Sequence, residues 1–356
     1  MKTYKILVIN PGSSSTKVAV FEDENQVFSQ NVEHDGDELL KFPRVADQYE
    51  FRYRNIMESL ERAGIDPSTI DAVVGRGGVL KPIQGGTYLV NDAMLSDLME
   101  RPRHEHASNL GAMIAHEFAT TYSVPAYIVD PVAVDEFEDV ARLSGLPGLE
   151  RQSLSHALNM RAVARRVAAA MGRRYDEVNL VVAHLGSGIS VSAHRKGRMV
   201  DTCNPNEEAP FSVERAGTVP TTQLVDLCFS GRYTKKEIKD MLTKRGGMYA
   251  YLGTKDLRQA EAMASQGDSK AALVIDAMCY QVAKEIGAMS TVLKGEVDRI
   301  IITGGMAHSR RVVSEIIARV GFIAPVEVVP GEEEMLALAE GALRVLRGEE
   351  APRIYA

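Results

Sequence analysis

With 356 residues, the chain exceeds what one hydrophobic core ordinarily organises, which points to two domains or to one fold duplicated within the chain. A composition of 45% hydrophobic and 25% charged residues excludes a disordered or fibrous protein, and a net charge of -7 offers no electrostatic footprint for a nucleic acid partner. The apolar run Ile6–Ile9 is too short for a secretory leader and no stretch approaches the ~18 uncharged apolar residues of a membrane span, so a cytoplasmic protein without a membrane partner is expected.

Short β-rich runs alternate with longer helical patterns along the chain. Tyr4–Ile9, Lys17–Phe21, Ala72–Gly75, Ala126–Val129, Leu180–Ala183, Ser190–Ala193 and Arg299–Ile302 read as strands. Tyr53–Ala63, Leu110–Thr121, Ser153–Met171, Thr221–Phe229, Lys235–Thr243, Ser269–Leu293, Ser309–Val320 and Glu333–Leu346 carry apolar residues at helical spacing. This alternation predicts an α/β protein. The cysteines, Cys203, Cys228 and Cys279, are scattered singly, which argues against a disulfide framework or a zinc site.

The two halves repeat one layout. A strand ends at Asn10 in the turn Pro11-Gly12-Ser13-Ser14-Ser15, and a second strand and a polar hairpin follow; a later strand ends at His184 in Leu185-Gly186-Ser187-Gly188, again followed by a strand and a hairpin. An internal duplication is expected, with domains over residues 1–150 and 151–332, the boundary lying near Gly145-Leu146-Pro147-Gly148, and the last helix, within 333–356, rejoining the first domain. A Gly/Ser turn after a strand gathers backbone N–H groups and hydroxyls on one point, as phosphate binding requires, and two such turns suggest a nucleoside triphosphate tail held from both sides. Gly304-Gly305 adds a third turn at the carboxyl end of a strand. Neither a P-loop pattern nor a complete dinucleotide fingerprint is present.

The stretch from Val8 to Lys17, with Asn10, Ser13, Ser15 and Lys17, resembles the first signature of the acetate and butyrate kinases, within the superfamily of acetokinases, sugar kinases, heat-shock chaperones and actin. His184-Leu185-Gly186-Ser187-Gly188 resembles the second phosphate motif, Thr303-Gly304-Gly305-Met306 the adenosine turn, and Pro330-Gly331-Glu332-Glu333-Glu334 the C-terminal acidic motif. Ser155-His156-Ala157-Leu158-Asn159, Glu214-Arg215-Ala216-Gly217 and Asp226–Gly231 are similar to the butyrate kinase branch. The resemblance implies two duplicated actin-like (ribonuclease H-like) domains, each a mixed β-sheet flanked by helices, with an ATP cleft between them. It also implies ATP or ADP with Mg2+ as cofactors, a short-chain fatty acid or its acyl phosphate as partner, and a homo-oligomer, dimeric or larger.

The reaction implied is phosphoryl transfer between ATP and a carboxylate. A carboxylate is ionised at neutral pH and needs no general base, so the site has to position the reactants and neutralise charge. The resemblance assigns the catalytic cations to Arg76, His156 and Arg215; Asp130, which ends the apolar strand before Pro131, is expected to hold magnesium waters or orient an arginine, since the nucleophile needs no base. His156 is expected in the first turn of a helix that Ser153 caps. Taken singly, Arg76 also reads as a surface arginine, His156 as a structural histidine, Arg215 as a salt-bridged side chain and Asp130 as a turn former.

Asn10 and Glu333 are the implied metal ligands, with Glu332 and Glu334 as alternatives to Glu333. His106 and Asn109, in a segment that begins at His104, resemble a substrate-side motif, and Asp256 and Arg258 an adenosine-contacting pair. Family acetate kinases carry a branched apolar residue and an aromatic where this chain has Gly78 and Ser155. Both changes are expected to enlarge the acyl pocket and favour a four-carbon acid.

Overall fold

A computed structural model describes residues 2–100, 102 and 105–356. Among them run strands β1 (Lys5–Pro11), β2 (Ser15–Glu22), β3 (Asn25–Glu33), β4 (Ala72–Arg76), β5 (Thr87–Leu89), β6 (Ala126–Val129), β7 (Asn179–Leu185), β8 (Ile189–Arg195), β9 (Arg198–Thr202), β10 (Arg299–Gly304), β11 (Val326–Pro330) and β12 (Arg353–Ile354). The helices that matter most for the sites are α1 (Tyr49–Arg62), α2 (Leu110–Tyr122), α3 (Ala157–Ala170), α4 (Ser269–Val292), α5 (Arg310–Val320) and α6 (Glu334–Leu346). The chain divides into two compact units, Met1–Val134 with Glu333–Ala356, and Asp135–Glu332.

The first unit is built on a sheet of order β12-β5-β6-β4-β1-β2-β3. The apolar run Ile6–Ile9 is buried throughout, as a strand covered on both faces must be, and β1 accordingly lies inside the sheet. Side chains alternate across the strands. Leu7, Ile9, Val73 and Ile128 join a core with Ile56 and Leu60 of α1 and Leu110, Ile114 and Phe118 of α2, while Val129 lies against Gly341 of α6. Helices therefore cover both faces.

The second unit has the order β11-β10-β7-β8-β9. Val181, Ala183, Ile300 and Ile302 pack with α4 and α5, and Leu180, Val182 and Ile301 pack with Met160, Val163 and Val167 of α3. The duplication expected from the turns extends to topology. In each unit three strands pair antiparallel (β1-β2-β3, β7-β8-β9) and two more add in parallel to the first (β1-β4-β6, β7-β10-β11). Even the register shift recurs in the same place, at Val20/Phe21 and at Ala193/His194.

Two expectations are corrected. The division falls after Val134 and not near residue 150, because residues 135–138 are bonded into the second unit: Glu136 accepts from Arg161 Nη1 (2.8 Å) and from the Met199 N–H (2.7 Å), and the Glu138 N–H donates to Val200 (3.1 Å). The helix expected from Ser153 begins at Ala157, and its N-cap position is held by His156, whose side chain makes no capping bond. No described helix is long and apolar enough to cross a membrane.

Candidate functional site

In the first unit the serine turn joins β1 to β2 and is closed by the Gly12 N–H on the Ser15 carbonyl at 2.7 Å. Asn10 and Lys17 are cross-strand partners just before and after it, so their side chains share one face of the sheet. Ser13 is exposed, Ser15 half-buried and Lys17 exposed. Asn10 Nδ2 donates to Glu334 Oε2 at 2.8 Å, and the other oxygen of Glu334 pairs with Arg76 Nη1. Of the glutamates expected to serve the metal with Asn10, Glu333 first with Glu332 and Glu334 as alternatives, it is one of the alternatives that stands beside it. The carboxylate that reaches Asn10 is that of Glu334, while Glu333 takes the N-cap position of α6, its carbonyl accepting from the Ala337 N–H. One residue of helical rotation separates the two.

Arg76 ends β4 and is only 12% exposed at its side chain, which answers the surface-arginine alternative. Burial, and then the charge of Arg76 nearby, hold the His106 imidazole below the usual histidine range. Its Nδ1 accepts from the Ser108 N–H at 3.1 Å and lies 2.7 Å from Ser108 Oγ. His104, from the same motif, lies outside the described residues.

Asn109 is buried, and its Oδ1 accepts from the Val79 N–H at 2.9 Å. That contact overturns part of the acyl-pocket argument. A Cβ on Gly78 would stand 2.4 Å from Asn109 Oδ1, 2.7 Å from Asn109 Cα and 2.9 Å from Leu98 Cδ2, so the volume that glycine vacates is filled by Asn109, backbone included, and by Leu98. Asp130 follows β6 in a left-handed conformation (φ 37°) rare for a residue with a side chain, and is 2% exposed. It is fixed there by a reciprocal pair with Gly86: Oδ1 accepts the Gly86 N–H at 2.7 Å and the Asp130 N–H donates back at 3.1 Å.

In the second unit the turn Gly186-Ser187-Gly188 joins β7 to β8. It is closed by the Gly186 N–H on the Gly188 carbonyl at 3.1 Å, and the Ser187 carbonyl is held by Ser212 Oγ. Ser212 Oγ also accepts the Arg215 N–H (3.2 Å), which sets the Arg215 side chain against the turn. A Cβ on Gly188 would fall 2.5 Å from Arg215 Nη1 and 2.8 Å from Cζ, so only glycine lets the guanidinium lie this close to the backbone. Burial pulls Arg215 below the ordinary arginine value, its Nε has no hydrogen-bond partner, and Glu214 is engaged by Lys255 at 2.6 Å. The salt-bridged alternative for Arg215 is therefore not the one observed among the described residues.

His184, fully buried on β7, accepts from Asn159 Nδ2 at Nδ1 (3.0 Å) and presents Nε2 3.1 Å from Glu332 Oε1, off the direction of a hydrogen bond. Its ring stacks on His156 at 4.0 Å, and His156 Nδ1 is bonded to Ser190 Oγ at 2.9 Å. Ser155 is 4% exposed, with an Oγ that meets no partner among the described residues. His156, His184, Gly186, Ser187, Gly188 and Arg215 thus form one cluster. Gly304 ends β10, followed by the short helix Gly305–His308 with Gly305 exposed and Met306 buried. Asp256 and Arg258 lie elsewhere on the surface of this unit: Asp256 caps the helix Leu257–Ser265 and binds Arg258, whose side chain is 89% exposed.

Asn159 and Ser190, which lie within the expected motifs but carry no expected role of their own, hold His184 and His156 by hydrogen bonds. Arg52, behind the serine turn, belongs to no motif; its signal in the sequence is that it occupies the apolar stripe of α1 with Ile56, Ser59 and Leu60, where helical spacing calls for an uncharged residue.

The model of the acetokinase family matches residues 150–332. Among solved structures, an acetate kinase from Porphyromonas gingivalis is 21% identical, with a TM-score of 0.78 over 96% of this chain and 100% of that one. A propionate kinase from Francisella tularensis is 18% identical at a TM-score of 0.72, covering 95% and 98% of the two chains, and an acetate kinase from Entamoeba histolytica is 19% identical at 0.75, covering 95% and 99%. At these identities the likeness establishes the actin-like fold of two α/β domains with mixed, helix-flanked sheets.

Proposed function

The chain belongs to the acetokinase family, and from that premise we propose that it is a carboxylate kinase that interconverts butanoate and ATP with butanoyl phosphate and ADP. The observation that carries the reading is Arg215, a half-buried cation that makes no ion pair among the described residues and whose buried Nε has no hydrogen-bond partner, laid against a glycine turn of the kind that cradles phosphate. A desolvated guanidinium with an unused donor is stabilised by an arriving anion.

In the forward direction a carboxylate oxygen attacks the γ-phosphorus, the bond to the β,γ-bridging oxygen breaks, and ADP leaves with the electron pair. Arg76 would hold the carboxylate, exchanging its pairing with Glu334 for one with the substrate. Arg215 and His156 would neutralise charge on the transferring group. Asp130 would keep the loop at Gly86 in place, and the turn at Gly304-Gly305 would receive the adenosine.

The oxygens of Asn10 and of the glutamates at 332–334 are the hard donors that magnesium takes, and Asn10, which here meets Glu334 through its Nδ2, would present its Oδ1 instead to hold the ion. When bound, magnesium would neutralise phosphate charge. Asp256 and Arg258 satisfy one another, so we assign them no more than a peripheral part in nucleotide binding.

The preference for butanoate rests on the motifs shared with the butyrate kinase branch and on Ser155, which replaces an aromatic. The filling of the Gly78 space by Asn109 and Leu98 favours a second reading, in which acetate or propionate is preferred. Trapping acyl phosphates with hydroxylamine in the presence of magnesium and ATP, across acetate, propionate, butanoate, isobutanoate and valerate, separates the two. The highest kcat/KM is expected for a four-carbon acid. A maximum at acetate or propionate establishes the second reading, and no product from any acid removes the carboxylate kinase assignment.

A further inference from the structure

We propose that Arg52 is a positioning residue for anion binding, holding the Gly12–Ser15 turn in its binding shape and lending that turn a positive charge from behind. The inference rests on the functional reading above and deepens it. Arg52 is 1% exposed, and all five of its N–H donors are used. Nη1 donates to the Gly12 carbonyl (2.8 Å), the Ser15 carbonyl (3.1 Å) and Thr16 Oγ1 (3.2 Å); Nη2 donates to the Ser13 carbonyl (3.0 Å) and Gln48 Oε1 (2.9 Å); Nε donates to Gln48 Oε1 (3.2 Å). None of these acceptors is charged, and among the described residues no carboxylate stands within ion-pair distance of this guanidinium.

The consequence for the turn follows from peptide geometry. In a trans peptide the C=O and the following N–H point opposite ways. Carbonyls of Gly12 and Ser13 aimed at Arg52 therefore send the N–H groups of Ser13 and Ser14 to the far, solvent side, where neither meets a protein acceptor among the described residues. The Ser14 carbonyl is also tied inward, by the His34 N–H at 2.9 Å, and His34 Nε2 braces Thr16 Oγ1 at 2.8 Å. The carbonyls of Gly12 to Ser15 are thus all engaged behind the turn, and the outward face presents N–H groups, serine hydroxyls and a buried cation's field. An anion is the ligand that such a face selects. A buried arginine serving only to support the fold would be expected to have a carboxylate partner.

Two variants test this in the full-length protein. Arg52→Lys keeps the charge but cannot fork to three carbonyls; Gln48→Glu leaves the fork intact and places a carboxylate on it, cancelling the charge. Hydrogen exchange is followed on peptides covering residues 12–16 and 186–188 with and without Mg-ATP, alongside KM, kcat and melting temperature. In the wild type both peptides are expected to gain protection. In each variant residues 12–16 should lose that gain while 186–188 keep it, and KM for Mg-ATP should rise roughly 10- to 100-fold with KM for the acid moved much less.

A Gln48→Glu protein that melts at or above the wild-type temperature and binds Mg-ATP as the wild type does would make Arg52 a structural residue only, and overturn the proposal. The same holds if wild-type protection appears at 186–188 and not at 12–16. If Arg52→Lys does not fold, Gln48→Glu decides alone. Protection at neither turn in the wild type would overturn the kinase reading itself, and this proposal with it.

Discussion

At the scale of single residues, the cations divide into those whose charge is met within the protein and those whose charge is not. Arg76 is ion-paired with Glu334, whereas Arg215 makes no ion pair among the described residues, Glu214 acting on it only electrostatically while engaged by Lys255, and has a buried Nε without a hydrogen-bond partner. Arg215→Met is therefore expected to lower kcat by about 100- to 1,000-fold while leaving the melting temperature unchanged or slightly raised, since a desolvated cation is removed. A fall of several degrees with little change in kcat would show the side chain to be structural.

Gly78 makes a different prediction. Gly78→Ala drives a Cβ into Asn109 and Leu98 and should cost about 1–3 kcal/mol in urea unfolding. Asn109→Ala should open the part of that space held by the amide, while the Asn109 backbone stays, and move the acid preference toward longer chains by no more than about fourfold per methylene at ~0.8 kcal/mol each.

His34 supplies a pH dependence. Burial, and then the Arg52 charge beside it, lower its folded value from 6.5 to about 4. Between these values the unfolded chain binds the extra proton, so His34 contributes fully above pH 6.5. That contribution is lost as pH falls toward 4, by up to ~3 kcal/mol. The wild-type stability should fall more steeply over that range than that of His34→Gln, as read from urea midpoints; parallel profiles would show that His34 is protonated in the fold.

At the scale of elements, what was legible followed burial. β1, β4, β6, β7 and β10 are near-continuous apolar runs with no more than the terminal residues exposed, and each was expected within one to three residues of its observed bounds. β3 and β9 lie at sheet edges, β5, β11 and β12 are short or half-exposed, and none of the five was anticipated. A strand that exposes one face or pairs on one side needs no run of apolar residues, so its pairing is decided by the neighbour that recruits it.

The same limit applied to residues 135–150. Glycine and proline at 145–148 marked a loop correctly but not a boundary, because the segment is secured by Glu136, a buried carboxylate 2.8 Å from Arg161 Nη1. Glu136→Ala removes a buried carboxylate from both Arg161 and the Met199 N–H, and should destabilise the protein by about 1–3 kcal/mol and open the exposed stretch Leu143–Leu149 to proteolysis. Unchanged cleavage at Leu143–Leu149 would show that other contacts hold the segment.

At the scale of the whole molecule, the duplicated sheet order explains why two turns with different sequences, one of serines and one of glycines, stand at equivalent places. The second unit is continuous in the chain and has its own core; the first is assembled from two segments. Residues 135–332 expressed alone should therefore melt cooperatively with the circular dichroism of a mixed α/β protein, and should lack turnover. A molten product would mean that its core depends on the rest of the chain.

By itself, the sequence determined the alternation of strands and helices, the duplicated turns and the phosphate-binding character of residues 10–17 and 184–188. These depend on local backbone chemistry: apolar periodicity, and glycine or serine where a tight turn needs them. Only the tertiary structure decided that Glu334 reaches Asn10, that Asn109 and Leu98 fill the space at Gly78, and that Arg52 stands behind the serine turn. Each of these joins residues 20 or more positions apart, and such contacts are set by packing geometry that no local pattern encodes.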